Sequence, residues 1–424
     1  MAAPNTTLLS GSPSSLTLDL HTGDPEAKRE AIRDYFHETW NLYERLFEPL
    51  KGAEAFTTRA DPLRHPLIFY YGHTAVFFIN KLVLGKFLKN RIDPELERQC
   101  AIGVDEMSWD DLNEKHYEWP TPESVKAYRD QARAVIDELI SSAPLELPIG
   151  WDSPFWVIMM GIEHERIHLE TSSVLIRQLP LNLLQPEHPA WPVFPEDVQP
   201  PENTLLEVPA GDVTLGRRDD SPFYGWDNEY GRVETATDTF KASKYLVSNH
   251  EYLAFINDGG YPEPRFWTEE GWNWAQYDSR GMPRFWRKCD DGTYKLRVML
   301  KEIPMPWSWP VEVNYLEAKA FCNWLAEKTG KPIRLPTEVE WNRLADVAET
   351  GDVNQWQTAP GNANLQIAAS SVPVTHCPFG SGFYDVIGNV WQHTETPIAG
   401  FPGFNVHPLY DDFSTPTFDM KHNL

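Results

Sequence analysis

A chain of 424 residues is long enough for two or three domains, each with its own core. Its 62 acids against 37 bases give a formal charge of -25, which excludes nucleic acid and anionic membrane surfaces as partners because both would repel it. No run of 18 apolar residues announces a membrane-spanning helix, and the four cysteines, Cys100, Cys289, Cys322 and Cys377, are scattered without a C-x-x-C pair, as reduced thiols in a cytoplasm would be.

From Met1 to Asp24 the chain is rich in Ser, Thr, Pro and Gly and lacks both a basic start and a long apolar core, so it reads as a flexible leader (1–24) rather than a signal peptide. Apolar residues then recur at helical spacing from Pro25 to about Pro49, through Ile32, Phe36, Trp40 and Leu46. A second helix follows Arg64-His65-Pro66 and runs through Phe69, His73, Phe77 and Leu82. A third spans roughly Pro122 to Ser141, opened by the cap signal Thr121-Pro122-Glu123. The fourth runs from Phe155 to Leu179 behind Asp152-Ser153-Pro154, and Pro180 stops it. Four helices predict a bundle over 25–180, and bundle cores are where facing helices build metal sites from inward side chains.

The fourth helix holds His164-Glu165-Arg166-Ile167-His168. Two histidines four apart lie one turn above each other on one face, so both imidazoles can reach a single ion. On the second helix His73 sits in Tyr70-Tyr71-Gly72-His73-Thr74-Ala75-Val76-Phe77, a polar ring in an apolar run. Unpaired there, it would cost roughly 1–3 kcal/mol; a hydrogen bond or a metal would satisfy it. His65 could share its face, but it precedes Pro66 and ranks second. A site of His73, His164 and His168 leaves open positions on an octahedral metal for substrate and dioxygen. The rival reading is a zinc metalloprotease, with Glu165 as base in H-E-x-x-H and Glu187 as third ligand; against it, Glu187 lies among prolines rather than on a second helix.

Six prolines between Leu181 and Asn203 rule out a regular helix or central strand, so 181–203 is expected to be a semi-rigid linker strapped across the surface. The second domain, 204–424, opens with strand, Pro209-Ala210-Gly211 turn and strand, followed by an alternating run from Val233 to Phe240. Ser248 or Asn249 caps a helix, another covers Asn314 to Thr329, and Thr337 with Glu340 forms a capping box. Most of the 17 tryptophans fall after residue 150, as in a loop-rich domain with an aromatic core.

Val208-Pro209-Ala210-Gly211, Val247-Ser248-Asn249-His250-Glu251-Tyr252, Arg334-Leu335-Pro336-Thr337-Glu338-Val339-Glu340-Trp341 and Tyr384-Asp385-Val386-Ile387-Gly388-Asn389-Val390-Trp391-Gln392 resemble the domain of formylglycine-generating enzyme and its relatives. The resemblance implies an α+β chain, a C-type-lectin-like domain behind a DinB-like four-helix bundle. That pairing, with a histidine in G-H-T and a later H-E-x-x-H, resembles the nonheme-iron sulfoxide synthases of thiol-histidine biosynthesis. Ile162 to Pro180 and Val406 to Leu424 look most like the ovothiol branch, in which L-histidine and L-cysteine are joined by O2 to 5-histidylcysteine sulfoxide. The resemblance implies Fe(II) on His73, His164 and His168. Its alternatives are a selenoneine- or ergothioneine-type synthase with another thiol or selenol donor, or a non-catalytic binding module.

Relatives of the ergothioneine type carry an active-site tyrosine shortly after G-N-V-W. Here Trp391 to Phe401 contains none, so either Tyr410 takes that role or the chain lacks the residue. Arginines for a γ-glutamyl thiol are expected after the first metal helix; Val104-Asp105-Glu106 stands there instead, and acids would suit the ammonium of free cysteine. Members of the family continue past His422-Asn423-Leu424 with a G-G-S-W strand, and many add a methyltransferase, so the second domain is expected to be C-terminally incomplete. Cys322 and Cys377 are expected to be packing residues.

Overall fold

The computed structural model describes residues 17–101, 118–195, 198–351, 361–411 and 413–424. The described residues of the first half include six α-helices: α1 (Pro25–Leu46), α2 (Gly52–Thr57), α3 (Leu67–Leu84), α4 (Pro94–Ala101), α5 (Pro122–Ser142) and α6 (Pro154–Gln178). The four long ones start as the sequence predicts. Asp24, Thr121 and Ser153 cap α1, α5 and α6 with their side-chain oxygens, each followed by proline in the first turn, where its missing N–H costs nothing. Around the core the helices pack in the order α1, α5, α3, α6 and back to α1. The short helices α2 and α4 carry too few apolar residues to show in the periodicity.

Helix α3 is the most apolar element, with a mean hydropathy of 1.4 over 18 residues, long and apolar enough to cross a membrane by length and composition. Since 78% of it is buried inside the protein, its apolarity belongs to the core. Two glycines set the closest approaches around it. A Cβ on Gly161 of α6 would lie 2.2 Å from the Phe78 ring, and one on Gly72 would lie 2.6 Å from Cys100 Sγ of α4. The absent side chain at Gly72 lets α4 close onto α3 beside His73, and that at Gly161 lets α6 close onto the Phe78 ring.

Residues 17–24 do not form the flexible leader expected there. Leu20 is wholly buried; its N–H donates to Pro222 O and its carbonyl accepts from Ile149 N–H. Three leucines in alternation, Leu16, Leu18 and Leu20, are the signal the sequence offers for this packing. The 181–203 segment is also more than a surface strap, because Leu183, Leu184 and Trp191 are buried. Trp191 Nε1 donates to Arg45 O at the end of α1 at 3.0 Å, and the Ala369 N–H donates to Pro192 O.

The described residues of the second half include seven short strands: β1 (Leu205–Val208), β2 (Gly211–Leu215), β3 (Val233–Thr237), β4 (Phe240–Ser243), β5 (Trp286–Lys288), β6 (Tyr294–Arg297) and β7 (Glu302–Pro304). β1 and β2 flank the Pro-Ala-Gly turn without pairing to each other. β1 runs antiparallel to β4 with Val208 opposite Phe240, and β2 runs antiparallel to β3 with Val213 opposite Thr235. Thus the alternating run from Val233 to Phe240 is divided between two ladders. β5, β6 and β7 form a third antiparallel sheet. Helices α7 (Asn249–Asn257), α8 (Glu269–Asp278), α9 (Tyr315–Thr329) and α10 (Glu338–Val347) complete the described elements. Reciprocal capping boxes at Ser248/Glu251, Asn314/Glu317 and Thr337/Glu340 start α7, α9 and α10. The main core is continuous across the halves, since Tyr224, Tyr230, Met299, Leu300 and Tyr410 join the helical cluster.

Candidate metal centre

His73 is on α3 and His164 and His168 are on α6, all buried, each offering a ring nitrogen so that the three atoms lie within 4.8 Å of one another. His164 Nε2 and His168 Nε2 are 3.2 Å apart. Nitrogens at about 2.1 Å from one ion and at right angles would be about 3 Å apart, so this spacing fits two adjacent ligands. His73 Nδ1 donates to Cys100 O at 2.8 Å, which fixes the ring and leaves Nε2 bare. That Nε2 is buried with no hydrogen-bond partner. An orphaned lone pair aimed at two further imidazoles is what a metal satisfies.

Burial also decides charge. Desolvation pushes the His73 imidazole down to about 4, and it pushes His164 and His168 well below the usual histidine value, with repulsion from the neighbouring imidazoles adding to it. All three are neutral at pH 7 and can give lone pairs to an ion. Their walls are dry: Phe77 stacks flat on His164 at 3.7 Å between centroids, Phe69 stacks on His73 at 5.0 Å, and Tyr70 lies 5.8 Å from His168. Phe77 and Phe69 flank His73 at one helical turn on either side, a spacing the sequence already displayed without declaring its purpose.

Glu165, the middle acid of H-E-x-x-H, faces away from the histidines. It is wholly buried and accepts from Arg129 Nη2 at 2.9 Å and Thr74 Oγ1 at 3.0 Å. Arg129 of α5, equally buried, also donates to Thr74 Oγ1 and Tyr71 O, both at 2.9 Å, and to Glu44 Oε1 at 3.2 Å. Its guanidinium lies 4.3 Å from the Trp40 ring centroid. Thr74 and Glu165 each adjoin a ligand histidine, so this network fixes α3, α5 and α6 in register around the triad. The protease reading fails on the same geometry. Glu165 is held in an ion pair, and Glu187, its expected third ligand, is 80% exposed and bonded to Lys301 Nζ at 2.6 Å. His65 is buried against Phe69 and Trp119 and is not one of the clustered ligands.

The second half brings Tyr410 to the centre. Its ring lies 5.0 Å from Phe77 and 6.1 Å from His164, with Lys81 Nζ 4.2 Å from its centroid. The loop carrying it is pinned by Asp227, which accepts from the His407 N–H at 3.1 Å and from Ser414 Oγ. Beside Tyr410 is a small cleft lined by Trp156 and Met160 of α6 and by Trp226, Asp227 and His407. Neither Asp227 nor His407 is visible as a site residue in the sequence. Asp105 and Glu106 lie outside the described residues. Cys322 and Cys377 are buried, and desolvation pushes both thiols up to about 12, in keeping with a packing role.

The family model of the sulfatase-modifying factor enzyme 1-like domain matches residues 191–403, starting inside the segment read from sequence as a linker, and that of the DinB superfamily matches 35–172. Hercynine oxygenase of Mycolicibacterium smegmatis is 29% identical over 309 residues, covering 70% of this chain and 68% of its own. Ergothioneine biosynthesis protein 1 of Schizosaccharomyces pombe is 26% identical over 455 residues, covering 97% of this chain and 53% of its own. Formylglycine-generating enzyme of Bos taurus is 25% identical over 236 residues, covering 46% of this chain and 58% of its own.

Proposed function

The chain belongs to the sulfatase-modifying factor enzyme 1-like domain family, and from that premise we propose that it is an iron- and O2-dependent sulfoxide synthase of the ergothioneine type. It would join the imidazole ring of a histidine-derived substrate to a thiol. The observation that carries this reading is the triad of buried, neutral histidines with Tyr410 beside it. Its support from relatives is the pair of names hercynine oxygenase and ergothioneine biosynthesis protein 1.

The overall reaction balances without a further reductant. An imidazole C–H and a thiol S–H lose their hydrogens, a C–S bond forms, and one oxygen atom of O2 ends on sulfur while the other leaves as water. Iron(II) on His73, His164 and His168 would supply the redox chemistry and the open positions for the thiol and O2. The protein's own groups do the rest. Cys100 O orients His73, and Arg129, Thr74 and Glu165 keep the two ligand helices in register. The rings of Phe69, Phe77 and Tyr70 exclude water, so that charge developing at the reacting atoms is felt at low dielectric. We assign Tyr410 as the proton donor, because its loop reaches the centre from the second half and Lys81 holds its ring.

The relatives' names favour hercynine over free histidine as the imidazole substrate. Coupling of free L-histidine and L-cysteine, the ovothiol-type reaction, is the second reading. It is favoured by Tyr410, since the tyrosine nearest the triad from the second half belongs to the Val406–Leu424 stretch that carries the ovothiol resemblance. Aerobic incubation of the iron-loaded chain with either imidazole compound and either cysteine or γ-glutamylcysteine separates the cases. A coupled sulfoxide detected by mass spectrometry is expected, and its mass names the pair. Iron binding with no coupled product from any of the four combinations would contradict the proposal.

A further inference from the structure

Oxidisable rings lead away from the candidate metal centre in unbroken contact. Tyr410 begins the series at 6.1 Å from His164, ring centre to ring centre, and it is buried. Trp226 lies 6.1 Å beyond it, and Phe413 packs on both, at 5.0 Å from Tyr410 and 4.4 Å from Trp226. Tyr224 follows at 5.4 Å from Trp226, and Trp156 of α6 at 5.0 Å from Tyr224. Phenol and indole rings lose a single electron far more easily than phenyl rings or peptide groups, so contact between them is a route for charge as well as a packing arrangement.

The surroundings select where that route ends. Tyr224 and Trp156 are buried, whereas Trp226 is partly exposed. Desolvation, with Glu163 and Glu229 adding to it, pushes the Tyr224 phenol well above its ordinary value, and a phenol that holds its proton in a dry site resists oxidation. Trp226 has water to take its indole proton and carboxylates to stabilise a positive ring. Asp227 is next in the chain and in the wall of the same cleft, and its hydrogen-bond donors, the His407 N–H and Ser414 Oγ, are uncharged. Glu229 Oε1 accepts the Trp226 N–H at 2.8 Å, while its other oxygen is held by Arg217. Negative charge beside the indole favours loss of an electron from it.

We propose that Tyr410 and Trp226 form an electron path between the surface and the metal centre, which supplies the centre when O2 is reduced there without substrates and so spares the ligand histidines. The path rests on the proposed function and adds to it a protective role for the second half. Tyr410 gives an electron and its phenolic proton to O2 being reduced at the centre, then recovers an electron from Trp226 and a proton from water. Trp226 releases its indole proton to water and is restored by a thiol, which gives one electron and one proton and pairs as a disulfide. Four thiols and one O2 thus yield two disulfides and two waters. With no thiol present the loss falls on Trp226 itself: the indole takes one oxygen atom from water and releases two electrons toward the centre and two protons.

The test exposes the iron-loaded chain to O2 with neither imidazole compound nor thiol, read by rapid-freeze electron paramagnetic resonance and by peptide mass spectrometry. In the parent an indole radical and one added oxygen on Trp226 are expected, with His73, His164 and His168 unmodified. In Trp226→Phe the radical should become a phenoxyl that vanishes when Tyr410→Phe is added. Oxidation of the three histidines and of Met160, the thioether in the same cleft wall, should rise several-fold. Iron content before exposure should equal the parent's, which separates a broken path from a packing defect. An unmodified Trp226 in the parent, or the same radical and the same damage in parent and variants, would overturn the path while leaving the proposed function standing. A parent that holds iron yet consumes no O2, with or without substrates, would bring down both.

Discussion

The two halves of this molecule meet at one site but reach it by different physics. The helical half supplies three candidate ligands from two regular elements, α3 and α6, whose registry is fixed by an ion pair between wholly buried side chains, Arg129 and Glu165. The second half supplies Tyr410 from a loop held by Asp227 and Ser414. Helices give precise placement of ligands, while loops tied down at a few points can change their side chains without disturbing the scaffold. The division teaches where variation in substrate choice can accumulate in this architecture: at the loop, with the metal centre untouched.

That contrast can be broken from either side. The largest effect is expected at the ligands themselves. His164→Ala should lower iron affinity by roughly a thousandfold or more, read by metal titration, because one of three protein ligands is lost from a closed site. Next comes the register device. Glu165→Gln leaves the buried Arg129 guanidinium with only the partly exposed Glu44 carboxylate as countercharge and should cost about 3 kcal/mol in denaturant unfolding. A stability change under about 1 kcal/mol would show that the network does not hold the helices.

Acid should destabilise the helical half through its buried imidazoles. The folded-state value of His73 is depressed to about 4 from an ordinary 6.5, so the unfolded chain binds the extra proton between those values. Its contribution to stability is therefore intact above pH 6.5 and declines as pH falls toward 4. The depression corresponds to on the order of 3 kcal/mol for this group alone. His164 and His168, depressed in the same direction, add to the loss. Stability of the metal-free chain that stays flat from pH 7 to 4 would contradict a neutral triad.

On the loop side, Tyr410→Phe keeps the ring packed on Phe77 and removes only the hydroxyl. It should lower the coupling rate by at least tenfold while iron content and histidine affinity remain those of the parent. The smallest effect is expected at Trp391, which is 77% exposed and whose Nε1 donates to Glu170 across the two halves at 2.9 Å. Trp391→Ala should change unfolding free energy by less than about 1 kcal/mol.

How much of this could be read in advance follows the same divide. His164 and His168 were legible because helical periodicity converts sequence spacing directly into a shared face, His73 because a polar ring in an apolar helix needs a partner, and the caps at Thr121, Ser153, Ser248 and Thr337 because capping is local. Glu165's true role was not legible, since its partner Arg129 is on another helix and H-E-x-x-H looks the same whichever way the acid points. The pairing of β1 with β4 and β2 with β3 was likewise hidden, because it spans segments that no local rule connects. Tyr410 could be named as a candidate only through resemblance, and Trp226 not at all. Loop residues acquire meaning from the surface they are folded against, here the α6 face that bears Met160 and His164.

The central claim is that three buried imidazoles form one iron site. X-ray absorption on the chain loaded anaerobically with Fe(II) tests it most directly, read together with the iron content retained after gel filtration. The account predicts one tightly held iron with three imidazole nitrogens in its shell; iron that washes away, or iron held by carboxylates with fewer imidazoles, would contradict it.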